Sequence, residues 1–165
     1  QNVPAEYGLV LAAGSPDEET IGNEVKGLIE ELQKTRSNVI WIPEMLPHEK
    51  LCALLTSADL FICPSIYEPL GIVNLEAMAC ETAVLATRVG GIPEVVADGS
   101  TGKLVDYSGD GATLESDLST AIIQLMKEPA LLKQYGEAGR KRAAAEFGWP
   151  AVARATLALY QSLIK

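Results

Sequence analysis

A chain of 165 residues with 13 Lys and Arg against 22 Asp and Glu carries a formal charge of −9, its single histidine neutral. That balance excludes binding to nucleic-acid polymers, which requires a basic stripe, so any phosphate bound here must be held locally. With 48% hydrophobic and 21% charged residues, the composition is that of a folded chain of one domain's length and not of a disordered one.

Leu9-Val-Leu-Ala-Ala13 is a short apolar run closed by Gly14, Ser15 and Pro16, the pattern of a buried strand entering a loop. Between Glu18 and Lys34, Ile21, Val25, Leu28, Ile29 and Leu32 recur at three- and four-residue spacing, which predicts an amphipathic helix. Val39 to Ile42 predicts a second strand, stopped by Pro43, and a helix bearing Leu51, Leu54 and Leu55 follows Pro47. Asp59 to Cys63 is the third strand, a helix runs from near Leu70 to near Cys80, and Ala83 to Ala86 is the fourth strand. Gly90-Gly-Ile-Pro-Glu94 predicts a turn opening a short helix at Pro93, and Lys103 to Val105 the last strand. Three helices complete the chain: Leu114 to Lys127, Leu131 to Glu146, and a closing helix within 150–165.

Uniformly apolar strands alternating with helices predict an α/β fold, a doubly wound, Rossmann-like parallel sheet, with residues 1–165 forming a single domain. Cys52, Cys63 and Cys80, odd in number and set in apolar stretches, read as buried thiols in a reducing cytosol. No signal-peptide pattern opens the chain, and no run reaches the about 20 apolar residues that cross a bilayer. The expectation is a cytoplasmic protein without membrane or nucleic-acid partners and without a metal or cofactor.

In an open parallel sheet, ligands bind beyond the carboxyl ends of the strands. The richest such loop is Pro64-Ser-Ile-Tyr-Glu-Pro-Leu-Gly-Ile-Val-Asn-Leu-Glu76. Gly71 stands at the expected helix start, where the amides of Gly71, Ile72 and Val73 point outward and favour an anion such as a diphosphate. Glu68 and Glu76 flank that start, about 8 Å apart along the helical part alone. This spacing favours contacts to two parts of one extended ligand, and a nucleotide sugar has that extent. Ser65 lies in no G-x-S-x-G elbow, and neither a P-loop nor a dinucleotide fingerprint is present. Gly90 and Gly91 read mainly as a turn, His48 as an exposed helix start, and Trp41, Tyr67 and Trp149 as packing residues. Asp106, Asp110, Glu115 and Asp117 read as a solvated helix entry.

Glu68-Pro-Leu-Gly-Ile-Val-Asn-Leu-Glu76 resembles the E-x7-E motif of retaining GT-B glycosyltransferases. Together with Pro64-Ser-Ile-Tyr, Glu76-Ala-Met-Ala-Cys80 and Gly90-Gly-Ile-Pro-Glu94, it makes the chain similar to the bacterial glycogen (starch) synthases of the family 4/5 type. The resemblance covers nearly the whole chain. It implies the C-terminal, donor-binding half of a GT-B enzyme that transfers glucose from ADP-glucose or UDP-glucose to an α-1,4-glucan. On that reading Glu68 is the catalytic residue beside the donor sugar, while Leu70, Gly71, Ile72 and Val73 hold sugar and phosphates. Glu76 binds the ribose, and Met45 and Leu46 border the base. The alternatives are a non-catalytic nucleotide or sugar-phosphate binding module, or a transferase with another acceptor such as a sucrose phosphate or a lipid-linked sugar.

The family's donor domain opens on a strand and loop whose Arg and Lys neutralise the diphosphate, and an acceptor domain precedes it. The sequence begins at what resembles the second strand, so the expectation is a domain truncated on its N-terminal side, with the glucan acceptor bound through the absent N-terminal domain. In the family the closing helix crosses to the other domain, so one face of it is expected to be exposed. An acidic chain that relies on amides alone is expected to bind donor nucleotide weakly and not to turn over. A glucosyl-transfer assay on glycogen with ADP-glucose and UDP-glucose checks this, the expected result being no product from the 165-residue chain.

Overall fold

The computed structural model describes residues 3–14, 16 and 18–164, so Ser15 of the expected first turn lies outside the described residues. The chain forms two compact units, Gln1–Leu51 and Cys52–Lys165. In the first, strand β1 (Leu9–Ala12) and strand β2 (Val39–Ile42) pair in parallel, Leu9 opposite Val39. The intervening helix α1 (Glu19–Thr35) is what permits the parallel return. It buries Ile29 and leaves Ile21 and Leu28 exposed. Just beyond α1, the Arg36 guanidinium donates to the carbonyls of Val3 (2.8 Å), Pro4 and Tyr7 (3.0 Å) and ties down the segment before β1.

Helix α2 (His48–Ser57) leads into strand β3 (Leu60–Cys63), helix α3 (Ile72–Ala79), strand β4 (Ala83–Thr87), the short helix α4 (Ile92–Val95) and strand β5 (Gly102–Val105). The three strands pair in parallel in the order β3-β4-β5, with Leu60 opposite Ala83 and Val84 opposite Gly102. Flanked on both edges, β4 is buried along its whole length, which is why its sequence reads Ala-Val-Leu-Ala-Thr without alternation. The threonines that bracket its run satisfy their hydroxyls on backbone: Thr82, just before β4, donates to Leu55 O (2.6 Å), and Thr87, its last residue, donates to Ser65 O. Helices α5 (Gly111–Met126) and α6 (Pro129–Arg142) complete the core, where Leu85, Val105, Leu114, Leu125, Leu132 and Tyr135 cluster. A π-helical turn (Ala143–Phe147) then leads to helix α7 (Trp149–Leu163).

The fold class is the expected one, an α/β architecture with parallel, Rossmann-like pairing. The ladder hydrogen bonds fall into two sets, one in each unit. Helix α3 starts at Ile72, two residues past Leu70, because Gly71 adopts a left-handed conformation that cannot belong to the helix. Helix α5 starts at Gly111, before the expected Leu114, because Asp110 accepts the Thr113 amide (3.0 Å) as its N-cap. Helix α7 buries none of its residues, leaving Leu157, Tyr160 and Leu163 exposed. Tyr67 and Trp149 are also exposed and do not pack as expected, because each lies in or beside a loop outside the core. No helix among the described residues is long and apolar enough to cross a membrane.

The carboxyl end of β4 is clamped to that of β5 by charge. The Arg88 guanidinium donates to Asp106 (2.8 Å) and to Asp98 (2.5 Å), and Asp98 also accepts the Leu104 amide (2.9 Å) and faces Lys103 (3.6 Å). Burial works against ionisation of Asp98, but the Leu104 amide, Arg88 and Lys103 outweigh it and hold the carboxyl below the usual carboxylate range. A depressed folded-state pKa stabilises the fold above the unfolded value of about 3.9 and loses that contribution as the pH falls through the folded value. Asp98→Asn is therefore expected to lower unfolding stability at pH 7 by about 1 kcal/mol. The difference from wild type should shrink below about pH 4, as urea denaturation across pH would show.

Candidate functional site

The loop from Pro64 to Gly71 joins β3 to α3 and is fixed at three points. At its base Ser65 is held by its carbonyl, which accepts the Thr87 hydroxyl, and by its Oγ, 3.5 Å from the Cys63 thiol. In its middle the Glu68 carbonyl accepts the Gly91 amide at 3.0 Å. At its end the Gly71 amide donates to Glu68 Oε1, also at 3.0 Å. Gly71 makes this last bond possible: at φ 92°, ψ 49° its N–H turns back over the residue three positions earlier.

The glycine pair that opens α4 presses directly on this loop. A Cβ added to Gly90 would lie 1.9 Å from the Glu68 carbonyl oxygen, and one added to Gly91 would lie 2.3 Å from that of Pro69. No side chain fits at either position, so the pair is more than a turn: it lets two backbone segments touch and sets the height of Glu68. The far end of α4 is held in turn by Arg142, which donates to the carbonyls of Val95 (3.0 Å) and Glu94 (2.9 Å).

Helix α3 separates its two faces cleanly. Asn74, Ala77 and Met78 are fully buried, whereas Ile72 and Val73 are exposed and Glu76 is half-buried. Residues three and four apart share a helix face, so Glu76 lies on the side of Ile72 and Val73, one turn in from the helix start. The structure therefore brings Glu68, Leu70, Gly71, Ile72, Val73 and Glu76 together around one helix N-terminus. Met45 and Leu46 are residues of the other unit, where Met45 is exposed with its Cε 3.6 Å from the Cβ position of Gly14, and Leu46 is half-buried.

One expectation is corrected. The Gly71 amide does not point outward but is taken by the Glu68 carboxylate. The amides of Ile72 and Val73 head the helix, where no carbonyl one turn earlier receives them. Helix-head amides suit an anion, and a carboxylate on either side suits hydroxyl groups. Arg88, close by in sequence, is engaged by Asp98 and Asp106. A surface groove lined by Glu81, Glu137, Arg140, Lys141 and Ala144 begins just past the opposite end of α3 and shares no residue with this site. Sequence reasoning left Gly90, Gly91 and Asn74 out of the site. The glycine doublet was visible as a signal, and so was a polar residue on the apolar stripe of Ala77 and Met78.

Residues 9–142 match the family model described as glycosyl transferases group 1. The chain is 50% identical over 156 residues to an alpha-maltose-1-phosphate synthase of Mycolicibacterium smegmatis, covering 94% of this chain and 40% of that protein. Similarity to a glycogen synthase of Mycobacterium tuberculosis is lower, 36% over 118 residues, covering 70% of this chain and 27% of that one. Among solved structures, sucrose-phosphate synthase from Thermosynechococcus elongatus superposes with a TM-score of 0.77 at 28% identity, covering 98% of this chain and 47% of that one. The chain thus spans about two fifths of the length of the curated relative with 50% identity.

If the glycine pair sets the height of Glu68, Gly91→Ala should destabilise the fold by about 2–4 kcal/mol, because the added methyl meets backbone, the Pro69 carbonyl and the Leu70 Cα, and not a side chain that can swing away. Thermal unfolding measures this, and the variant is expected to melt well below wild type.

Proposed function

The chain belongs to the glycosyl transferases group 1 family, and from that premise we propose that it forms the donor-binding part of a retaining glucosyltransferase. The observation that carries the reading is the head of α3. There Glu68 is fixed against Gly71, two open amides follow, and Glu76 stands one turn further along the same face. A nucleoside diphosphate glucose fits this order of groups. Glu68 accepts hydroxyls of the donor glucose, the Ile72 and Val73 amides take the diphosphate, and Glu76 accepts the ribose hydroxyls.

The chemistry follows from where charge develops. As the glycosidic bond to the diphosphate breaks, negative charge grows on the leaving oxygens, and amides already aimed at them stabilise that charge without reorganising. Fixed donors at a helix N-terminus bind the departing diphosphate more strongly than the intact donor, which is the differential binding that catalysis requires. With no basic side chain assigned to this contact in a chain of charge −9, the ground-state affinity of the isolated chain is weak.

For the acceptor we favour a small sugar phosphate over a polymeric glucan. The relative at 50% identity is named for making alpha-maltose 1-phosphate, a product that glucosyl transfer to a glucose phosphate would give, whereas the glycogen synthase relative stands at 36%. ADP-glucose and UDP-glucose remain the two donors, and an α-1,4-glucan is the second acceptor reading.

Isothermal titration of the chain with ADP, UDP and GDP tests the donor assignment. We expect ADP or UDP to bind, and Glu76→Ala to weaken that binding about tenfold or more, since a hydrogen bond to a charged group contributes about 1.5–3 kcal/mol. Unchanged affinity in the variant would remove Glu76 from the ribose. Glu68→Gln should leave ADP or UDP affinity near wild type while reducing the preference for the glucose-bearing nucleotide.

A further inference from the structure

Asn74 is fully buried, and neither its Oδ1 nor its Nδ2 has a hydrogen-bond partner. The other buried atoms without partners among the described residues differ in kind. Arg36 and Asn38 each make hydrogen bonds through their remaining polar atoms, and Trp41 has only one polar atom to place. Asn74 has a whole amide with nothing to bond. Such a group is costly to bury, and an apolar side chain of the same shape would remove the cost.

Its position is specific. Asn74 Nδ2 lies 2.6 Å from the point that a Cβ on Gly71 would occupy, and Glu68 Cγ lies 3.6 Å and Ile92 Cγ1 3.4 Å from that same point. The unsatisfied amide, the stem of Glu68 and the first residue of α4 therefore share the space beneath the left-handed turn. Above that turn, the Glu68 carboxylate occupies the Gly71 amide. An unpaired buried donor therefore lies near the stem of Glu68, whose carboxylate occupies a site amide.

We propose that Asn74 is a positioning residue that acts through Glu68, offering its carboxylate a second donor when the Gly71 amide is given up to an anionic ligand. In the observed arrangement Glu68 Oε1 accepts the Gly71 N–H and Asn74 is idle. In the second, a torsion of the Glu68 side chain carries the carboxylate to the Asn74 amide, and the Gly71 N–H joins those of Ile72 and Val73 at the head of α3. The buried amide, unsatisfied here, then finds its partner in the ligand-bound state, which accounts for a group that folded proteins seldom leave unpaired. This inference rests on the reading of the α3 N-terminus as a nucleoside diphosphate site.

The test uses the whole chain, with ADP, UDP and the corresponding glucose-bearing nucleotides as probes. Asn74→Leu should melt no lower than wild type, because it removes an unsatisfied amide, and should bind the nucleotides at least about tenfold more weakly. Asn74→Asp provides the second readout. An ionised Asp cannot donate and repels Glu68, whereas a protonated one can donate. Its affinity should therefore rise toward wild type as the pH falls from 8 to about 5, by an amount that wild type does not show. If wild type binds and Asn74→Leu binds equally well, or melts lower with unchanged affinity, the inference is overturned and the donor-site reading stands. If wild type binds none of the probes, the donor-site reading falls and the inference falls with it. Should Asn74→Leu fail to fold, the pH response of Asn74→Asp decides.

Discussion

Two stretches of backbone, one after β3 and one after β4, are pressed together so closely that no side chain can stand between them. Gly90 and Gly91 lie against the carbonyls of Glu68 and Pro69, and the Gly91 amide seals the contact with a hydrogen bond. The rest of the site depends on this constraint. It fixes the backbone of Glu68, from which the side chain reaches the Gly71 amide, and Gly71 in turn determines where α3 begins and which amides it presents. The contact is supported from behind by elements that carry no site chemistry. Thr87 anchors the loop base, the Arg88 clamp joins the ends of β4 and β5, and Arg142 holds the end of α4.

The charge of the chain acquires a structural meaning here. Several of its few cations are committed to internal work: Arg36 to carbonyls of the N-terminal segment, Arg88 to two aspartates, Arg140 to the Ala79 carbonyl and Glu81, and Arg142 to α4 and Glu146. What α3 itself offers an anion is its head amides and its dipole, whose field is local and short-ranged. On the proposed reading, a site of that kind discriminates by geometry, favouring a ligand whose hydroxyls meet Glu68 and Glu76 while its phosphates meet the helix head.

Kinship and physical reading agree at the level of family and fold and part at the level of acceptor. The E-x7-E run resembles bacterial glycogen synthases, yet the greater identity is to an alpha-maltose-1-phosphate synthase. Both observations concern this chain alone, which spans about two fifths of the length of that alpha-maltose-1-phosphate synthase. A loop that binds a nucleotide sugar is under the same physical demands whatever receives the glucose, so a donor-side motif is a poor guide to the acceptor.

The sequence by itself determined the alternation of parallel strands with helices, because apolar period and proline and glycine punctuation are local properties written residue by residue. It also marked Glu68, Gly71 and Glu76, the loop acid, the glycine cap and the acid one turn inside a single loop-to-helix segment. Only the tertiary structure decided what those residues face. That the Gly71 amide is taken by Glu68 follows from a left-handed turn, and that Gly90 and Gly91 are indispensable follows from a neighbour more than twenty positions away in sequence. The isolation of Asn74 appears only when the core has closed around it. Close approach and hydrogen-bond satisfaction are properties of pairs of distant segments, and no single segment's composition contains them.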